Sequence, residues 1–295
     1  DRTLPLTLKD KIPAGSRVQK TLKQGEAMRI FTGSPLPEGA DTVVMQEKIR
    51  LNADGYIYIQ DEELQQGDNV RKKGSEVAEN ALAIASGTPL TAAALGYLAG
   101  LGCAEVCIYG APHISIILTG DELIPVGQPP TFGEVYESNS YQLRAALLQL
   151  GIPAGNIEVL QVKDSLHEVQ ACITLALEKS NIILMVGGVS VGEYDYVVEA
   201  AKACGVEQRF HGIRQKPGKP LFFGSRGEQL LFGLPGNPAS ALSCFYLYVA
   251  TVLEELMHKK AQIQKISAPI TGDYNKKVGL THFLKGNYNG STVTA

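Results

Sequence analysis

Acidic, basic and glycine residues recur in four short segments of this 295-residue chain, each beside an apolar stretch. The segments read Thr119-Gly-Asp-Glu-Leu, Gly187-Gly-Val-Ser-Val-Gly-Glu-Tyr-Asp, Lys216-Pro-Gly-Lys-Pro and Gly233-Leu-Pro-Gly-Asn-Pro, and Lys163-Asp-Ser follows a further apolar stretch. In an open α/β sheet, ligands bind beyond the carboxyl ends of the strands. Because four of these segments fall at that edge of one predicted sheet, we expect them to form a single site.

The glycine-containing segments predict binding of an anion. Gly187 and Gly188 permit close approach of the backbone, and a run of free N–H groups there is suited to an anion. Asn237 is a good N-cap residue and Pro238 suits the first turn of the helix that follows Gly236. Since the N-terminus of a helix attracts phosphate, both segments favour a phosphorylated ligand.

The charged residues predict a metal beside that phosphate. Lys216 and Lys219 supply positive charge to phosphates or oxyanions. The carboxylates are more numerous than an anion site needs, and they are Asp121, Glu122, Asp164 and Asp195. Carboxylates among phosphate-binding groups indicate Mg²⁺, which proteins hold with one or two carboxylates plus substrate oxygens.

Simpler interpretations exist for single residues. Asp164 and Asp195 are equally suited to capping the helices that follow them, and each lysine alone reads as a surface residue. Gly188-Val-Ser190-Val-Gly192 fits the pattern of a hydrolase nucleophile elbow, but a triad also needs a histidine base. His211 is the nearest candidate, and we expect it to be structural.

Composition excludes several classes of protein. The chain is 44% hydrophobic and 19% charged with a net charge of −3, which argues against a disordered chain and against an extended nucleic-acid surface. No apolar run of about 18 residues predicts a membrane span. Five scattered cysteines without a C-x-x-C pair indicate reduced thiols in the cytoplasm rather than a zinc site. Because the chain starts at Asp1, we expect a piece of a longer protein.

The elements before residue 111 are expected to be mostly strands. Residues 1–76 predict a small β module with strands at 17–21, 27–31, 42–46 and 56–60. Residues 77–110 predict a connector or part of an elongated lobe, with a helix at 92–101 between strands at 81–85 and 104–109.

The elements after residue 111 alternate. Within 111–258 we expect strands at 113–118, 157–162, 181–186 and 229–232, and helices at 138–150, 165–179, 196–203 and 239–257. This order predicts a central α/β domain with a mostly parallel sheet. Residues 259–295, with strands at 262–269 and 283–288, predict the start of an incomplete C-terminal β domain. The expected class is therefore multidomain α/β.

The ordered set of motifs resembles one family over nearly the whole chain. Together with Arg29-Ile-Phe-Thr-Gly-Ser-Pro-Leu-Pro-Glu-Gly39 and Asn69-Val-Arg-Lys-Lys-Gly74, it is similar to the molybdopterin molybdenumtransferases, the MoeA family with the homologous domain of gephyrin. The resemblance implies an enzyme that takes adenylated molybdopterin and molybdate, cleaves the adenylate with Mg²⁺ present, inserts molybdenum and releases AMP.

The resemblance also implies an architecture. The family has an elongated lobe, an inserted β domain, a central domain related to the molybdopterin adenylyltransferases and a C-terminal β-barrel. It forms a homodimer whose active cleft lies between the central domain of one subunit and the β domain of the other. Further implied partners are the molybdopterin adenylyltransferase and other molybdenum-cofactor proteins, with no nucleic acid and no membrane.

Site residues follow from the same resemblance. The expected catalytic residues are Glu122, Asp164, Asp195 and Lys216. The three carboxylates are expected to hold metal or orient pterin groups, with Glu122 and Asp195 as the metal ligands, while Lys216, Lys219 and Arg71 are expected to hold phosphate or molybdate. Thr32 closes the site from the partner subunit, and Gly188, Gly236 and Asn237 give backbone donors. The remaining expected substrate contacts are Glu76 (Asp in many members), Thr119, Gly120, Asp121, Gly187, Ser190, Pro235 and Pro238.

Three other functions stay open at this point. A molybdopterin adenylyltransferase shares the central domain but resembles that domain alone, without the β module of residues 1–76. A non-catalytic scaffold would use the same fold to bind a receptor. A CinA-type nucleotide-processing enzyme usually carries its related domain at the N-terminus, whereas here a β module precedes it.

Overall fold

The computed structural model describes residues 4–189, 196–259, 263–276 and 278–294. The chain divides into two compact units, Asp1–Gly102 and Cys103–Ala295. The finer division into four parts stays a prediction.

A four-stranded sheet forms the first unit. Its strands are β1 (Leu6–Ile12), β2 (Glu26–Ile30), β3 (Ile49–Leu51) and β4 (Tyr56–Ile59), in the order β2-β1-β4-β3, and a short 3₁₀ helix spans Gln46–Lys48. The predicted strands at 27–31 and 56–60 are confirmed. Those at 17–21 and 42–46 are wrong, because in the first only Thr21 forms a bridge, to Glu38, and the second forms no ladder. β1 was missed since its Lys-Asp-Lys centre is exposed and lacks an apolar alternation.

One helix, α1 (Ala92–Gly100), ends the first unit. The Thr91 side chain accepts a hydrogen bond from Ala94 N at 3.2 Å, and Gly102 follows the helix at φ +81°, so the predicted cap and stop are confirmed. The strands predicted at 81–85 and 104–109 are wrong. Both segments are apolar and β-branched in part, but neither lies beside a partner strand.

A six-stranded sheet is the centre of the second unit. The elements up to it are β5 (Ile114–Thr119), β6 (Leu123–Ile124), β7 (Val135–Tyr136), α2 (Asn139–Gln149), a 3₁₀ turn (Ala154–Asn156), β8 (Ile157–Val162), α3 (Leu166–Lys179), β9 (Ile182–Val186), α4 (Val197–Ala203), β10 (Glu207–His211), β11 (Gln215–Lys216), β12 (Phe222–Arg226) and β13 (Gln229–Leu234). The strand order is β10-β12-β13-β9-β5-β8. The last four of these are parallel to one another, and β12 is antiparallel to both of its neighbours, β10 and β13. The mostly parallel sheet is therefore confirmed.

Helices cover both faces of this sheet. A continuous helix follows β13 and consists of α5 (Pro238–Cys244), a π-helical segment (Phe245–Val249) and α6 (Ala250–Leu256). Along β5, Ile116 packs into the core beneath α2 and this continuous helix, whereas Ile117 packs beneath α3 and α4. Because both faces are covered, β5 and β9 are buried over their whole length.

The continuous helix resembles a membrane span in length and hydropathy but packs in the core of the domain. Residues Pro238–Leu256 have the length and mean hydropathy, 1.2 over an 18-residue window, of a membrane span. Their buried side chains Ala241, Phe245, Val249 and Leu253 pack in the same core as β5 and β9. This is the arrangement of a core helix in a globular α/β domain.

The C-terminal residues form small sheets. They contain β14 (Ile270–Thr271), β15 (Thr281–His282), β16 (Asn287–Tyr288) and β17 (Val293–Thr294). β15 pairs in parallel with β11, and β14, β17 and β16 form a three-stranded sheet. No strand lies in the described part of 262–269, and only Asn287–Tyr288 forms one within 283–288. These described strands form no closed sheet, so a barrel is not confirmed.

Candidate functional site

The order of the parallel strands creates a crevice at one edge of the central sheet. The chain passes from β5 to β8 on one side and then returns to β9 on the other side of β5. Neighbouring strands whose connections leave in opposite directions open a gap beyond their carboxyl ends, where α/β proteins bind ligands. The gap here lies after Thr119 and Val186.

A cavity of about 550 Å³ lies at this edge. The predicted site residues that line it are Thr119, Gly120, Glu122, Asp164, Gly187, Gly188, Pro235, Gly236 and Pro238. They come from four separate loops, so the structure brings together segments that the sequence separates by more than one hundred residues. The remaining predicted residues lie elsewhere or outside the described ranges.

Gly187 and Gly188 form the floor of the crevice against Thr119. Gly187 has φ +92°, and a Cβ placed on it would lie 2.7 Å from the Thr119 carbonyl oxygen. A Cβ on Gly188, at φ +60°, would lie 3.1 Å from Thr119 Oγ1. The N–H of Gly187 donates to Leu234 O at 3.2 Å. Gly187 therefore supplies close backbone contact rather than a free donor for an anion.

Three carboxylates gather at the same edge. The backbone N–H of Asp164 donates to Asp121 Oδ1 at 3.3 Å. A Cβ on Gly120 would lie 2.8 Å from Glu122 Oε2, so the Glu122 carboxylate folds back over that glycine. Within the described ranges, no lysine or arginine forms an ion pair with these three acids.

Asp164 has a perturbed environment. Partial burial raises the pKa of its carboxyl, the charges of Asp121 and Glu122 raise it further, and hydrogen bonding with the Asp121 backbone acts in the opposite direction. The Thr119 hydroxyl also lowers this pKa, yet Thr119 Oγ1 is buried and has no hydrogen bond of normal geometry to a described residue. The cap of α3 is Ser165, whose side chain accepts from Glu168 N at 3.4 Å, so Asp164 is not the cap.

A cation would reduce the repulsion among these carboxylates. The described residues contain no group of three acidic, histidine or cysteine side chains arranged as a complete metal site. Mg²⁺ does not require one, because it takes one or two protein carboxylates and completes its shell with water and phosphate oxygens. The donor set of Glu122 and Asp164 fits that mode.

Two helix N-termini face the cavity. Asn237 Oδ1 accepts from Ser240 N at 3.2 Å and Pro238 begins α5, which confirms the predicted cap. At α2, Ser138 occupies the predicted N-cap position but its side chain forms no capping hydrogen bond, and the side chain of buried Glu137 accepts from Ser140 N at 2.8 Å instead. Glu137 supplies the missing acceptor because its longer side chain reaches the N–H of Ser140, which has no partner within the first turn of the helix.

Sequence reasoning missed the contribution of α2 to the cavity. Val135, Tyr136, Ser138 and Asn139 line it. The available signal was positional, since a helix that starts after a loop at the carboxyl edge of a parallel sheet points its first turn at the ligand crevice.

The lysine loop, residues 214–220, borders the cavity through Pro220. Lys216 and Lys219 are exposed and do not themselves line it. The peptide bond between Lys216 and Pro217 is cis. Lys216 and Lys219 are therefore exposed positive charges on a loop whose backbone adjoins the site.

The predicted residues of the first unit lie on its surface. Thr32 is exposed in the turn after β2, and Arg71 forms an ion pair with Glu76. Arg71 also lines a second cavity of about 540 Å³ together with Asn69, Val70, Lys72 and Ser75. Within the first unit, the loop of residues 69–75 is thus concave, and the Glu76 carboxylate partly neutralises its positive charge.

Two predicted residues, Ser190 and Asp195, lie outside the described residues, so their roles stay predictions. His211, the candidate base in the hydrolase interpretation, shares a hydrogen bond of 2.7 Å between its Nε2 and Val189 O. Its ring also packs edge-on against Phe222. These contacts are those of a structural histidine.

Comparison with known protein families gives two matches. Residues 2–102 match the MoeA N-terminal region (domain I and II), and residues 115–255 match a probable molybdopterin binding domain. The boundary between the matches coincides with that between the two compact units.

Individual relatives agree with these family matches. The molybdopterin molybdenumtransferase of Haemophilus influenzae is 35% identical over 290 residues, covering 97% of this chain and 70% of the relative. That of a Nostoc species is 36% identical over 259 residues, covering 87% and 58%. The crystal structure of the molybdopterin biosynthesis MoeA protein from Pyrococcus horikosii superposes with a TM-score of 0.77 at 26% identity, covering 99% of this chain and 71% of that one. This chain therefore spans between about three fifths and seven tenths of these proteins' lengths.

Proposed function

Because this chain belongs to the molybdopterin molybdenumtransferase family, we propose that it inserts molybdenum from molybdate into adenylated molybdopterin and releases AMP. The observation that carries the proposal is the crevice after Thr119 and Val186. There, glycine backbones, two helix N-termini and unpaired carboxylates meet around one cavity. These groups suit a ligand with a flat ring system, phosphates and a bound cation.

The phosphates are the part of the substrate that the chain can orient most strongly. Lys216 and Lys219 neutralise phosphate or molybdate oxygens from the lysine loop. The N-terminal turns of α2 and α5 add partial positive charge at the other wall of the cavity. Gly187 and Gly188 leave room for a planar group to lie directly on the backbone.

The carboxylates at the edge of the crevice are the proposed ligands of Mg²⁺. Glu122 and Asp164 would hold Mg²⁺, with Asp195 as a further ligand that we carry over from the family resemblance. Mg²⁺ held by these carboxylates would supply positive charge to the phosphate oxygens of the substrate. Asp121 fixes the loop by accepting the backbone N–H of Asp164, and so keeps Asp164 beside the crevice.

We further propose that the active protein is a cytoplasmic homodimer. Arg71 and Thr32, on the surface of the first unit, would then complete the cleft of the partner subunit, with Glu76 exchanging its ion pair with Arg71 for a substrate contact. The five cysteines all carry free thiols, which supports a reducing compartment.

The test is AMP release from adenylated molybdopterin by the full chain, with molybdate and Mg²⁺ each added or omitted. We expect release that needs both additions. Replacing Glu122 by Gln keeps the size of the side chain and removes its charge, so we expect a higher Mg²⁺ requirement. Glu178→Gln, on the exposed surface of α3, is the matched control and should behave as the unmodified protein.

Other outcomes distinguish the alternatives. Release of AMP without molybdate would indicate a general pyrophosphate hydrolase. Binding of adenylated molybdopterin without any turnover would indicate a scaffold, and formation of the adenylate from ATP and molybdopterin would indicate an adenylyltransferase.

A further inference from the structure

Gln215 is a buried polar residue next to Lys216, with 3% of its surface exposed. We propose that Gln215 is a positioning residue for the lysine loop and that it acts through Tyr248 and Cys244 of the continuous helix. The inference rests on the proposed function, because it concerns how Lys216 and Lys219 are held for work on phosphate or molybdate.

Both ends of the Gln215 amide are occupied. The hydroxyl of Tyr248 donates to Gln215 Oε1, and Gln215 Nε2 donates to Cys244 Sγ at 3.7 Å. Burial raises the pKa of the Cys244 thiol to about 11, so the sulfur stays protonated and neutral at physiological pH. A buried amide whose donor and acceptor are both used favours one side-chain position, since each alternative leaves a polar group unpaired.

The turn of the loop packs on the same groups. Gly218 has φ +88°, and a Cβ placed there would lie 2.2 Å from Cys244 Sγ and 2.8 Å from Gln215 Nε2. No side chain other than hydrogen fits at this point. The loop backbone between Lys216 and Lys219 is therefore seated directly on the Gln215–Cys244 contact.

Three backbone hydrogen bonds hold the loop from other directions. The N–H groups of Thr281 and Phe283 donate to the carbonyl oxygens of Arg214 and Lys216, each at 2.8 Å. Ile213 N donates to Lys219 O at 2.8 Å and closes the loop at its base. Adjacent residues of a strand face opposite sides, so the buried Gln215 directs Lys216 outward.

The π-helical segment explains why Tyr248 reaches this place. A π-helical turn contains more residues than an α-helical one, so it shifts the side chains that follow it around the helix axis. In this segment Phe245 and Val249 stay fully buried, while Tyr248 lies half-buried at the lysine loop. Such segments occur frequently at functional sites.

Loss of this anchor should misplace the two ammonium groups without removing them. A displacement of about 1 Å in a positioning group can cost up to about 100-fold in rate. For Gln215→Met, which retains the length and loses both hydrogen bonds, we expect kcat to fall about 10- to 100-fold and KM to change less than about threefold. Tyr248→Phe should give a smaller loss of the same kind.

The matched control is Gln229→Met. Gln229 Nε2 donates to Leu177 O at 3.0 Å, at the opposite end of β13, so the variant loses a comparable side-chain hydrogen bond away from the loop. We expect it to lower Tm to a similar extent and to leave kcat unchanged. In a Lys216→Ala, Lys219→Ala background, Gln215→Met should cause no further loss of kcat, because a residue that acts through these two lysines then has nothing left to position.

A readout that does not depend on turnover separates the two proposals. Amide hydrogen exchange of residues 213–219 should be faster in Gln215→Met and Tyr248→Phe and unchanged in Gln229→Met. If the unmodified chain releases no AMP, the proposed function fails and the exchange result alone decides whether Gln215 fixes the loop. If the folded Gln215→Met variant shows the same hydrogen exchange at residues 213–219, or the same kcat, as the unmodified chain, the positioning role is wrong.

Discussion

The side-chain amide of Asn139 donates a hydrogen bond to the backbone carbonyl of Gly236, 97 positions away, at 2.9 Å. Asn139 is 6% exposed, and its Oδ1 in turn accepts from Gln142 Nε2 at 2.8 Å. The same Gln142 nitrogen donates to Pro238 O at 2.9 Å. These bonds tie the first turn of α2 to the first turn of α5, the two helix ends that face the cavity.

The first prediction concerns this tie. Asn139→Ala leaves the Gly236 carbonyl without its donor, so we expect a loss of about 1–3 kcal/mol in the free energy of unfolding and weaker binding of adenylated molybdopterin. Chemical denaturation and direct binding titration measure the two effects. Asn156→Ala, which removes a 2.9 Å bond from Asn156 Nδ2 to Ala111 O at the other edge of the sheet, should lower stability alone. Equal binding by both variants would contradict a role for Asn139 in the site.

The second prediction concerns the floor of the crevice. In Gly187→Ala the new methyl group would lie 2.7 Å from Thr119 O on a left-handed backbone, so we expect loss of substrate binding and about 2 kcal/mol or more of destabilisation. Gly205→Ala shares a positive φ of +79° but has its nearest neighbour, Arg226 Cδ, at 4.0 Å. The Gly205→Ala variant therefore has the backbone strain without the steric clash, and we expect it still to bind substrate. A Gly187→Ala variant that binds substrate normally would show that close approach at this glycine is not required.

The third prediction concerns Asp164 and pH. Its pKa in the folded state is raised above 3.8, chiefly by burial and then by the charges of Asp121 and Glu122. The folded state therefore holds this proton more tightly than the unfolded state, and stability falls as pH rises from about 3.8 through the raised pKa. We expect Asp164→Asn to remove that part of the pH dependence and to be at least as stable as the unmodified protein at neutral pH, while molybdenum transfer is lost.

Denaturation of both proteins from acidic to neutral pH measures this difference. Glu178→Gln, on an exposed helix surface, should leave the pH dependence intact. An Asp164→Asn variant that is less stable than the unmodified protein at neutral pH would mean that the ionised carboxylate is favoured in the fold.

The fourth prediction concerns β15. Thr281→Pro removes the N–H that donates to Arg214 O and releases one side of the lysine loop, so we expect AMP release to fall about tenfold. Thr281→Ala keeps the N–H and is the matched control, with activity close to that of the unmodified chain. Identical rates for the two variants would show that pairing of β11 with β15 does not matter for the loop.

The central sheet was predictable because its strands carry their own signal. Residues 182–186 form a continuous apolar segment, as expected for a strand buried on both faces, and residues 114–119 are mostly apolar and β-branched. The structure confirms strands over both. The loops that follow such strands meet at one edge by topology alone, which is why Thr119, Glu122, Asp164 and Gly187 were found.

Elements stabilised by distant partners were not predictable. β11 is two residues long and exists because β15 lies beside it, and Asn139 enters the site through a contact that spans 97 residues. The apolar segments at 81–85 and 104–109 show the converse, since strand-like composition without a neighbouring strand gives no ladder. Glu137 was overlooked because glutamate is not a usual cap residue.

The π-helical segment fixes the number of residues that the continuous helix can contain. Each residue of an α-helix turns the chain by about 100°, so deletion of one residue between Phe245 and Val249 would restore an ordinary helix and rotate α6 against α5 by about that angle. Either Val249, Ala250 and Leu253 would leave the core or Tyr248 would turn away from Gln215. A substitution between Pro238 and Leu256 changes one contact, whereas a deletion or insertion there displaces every side chain that follows it.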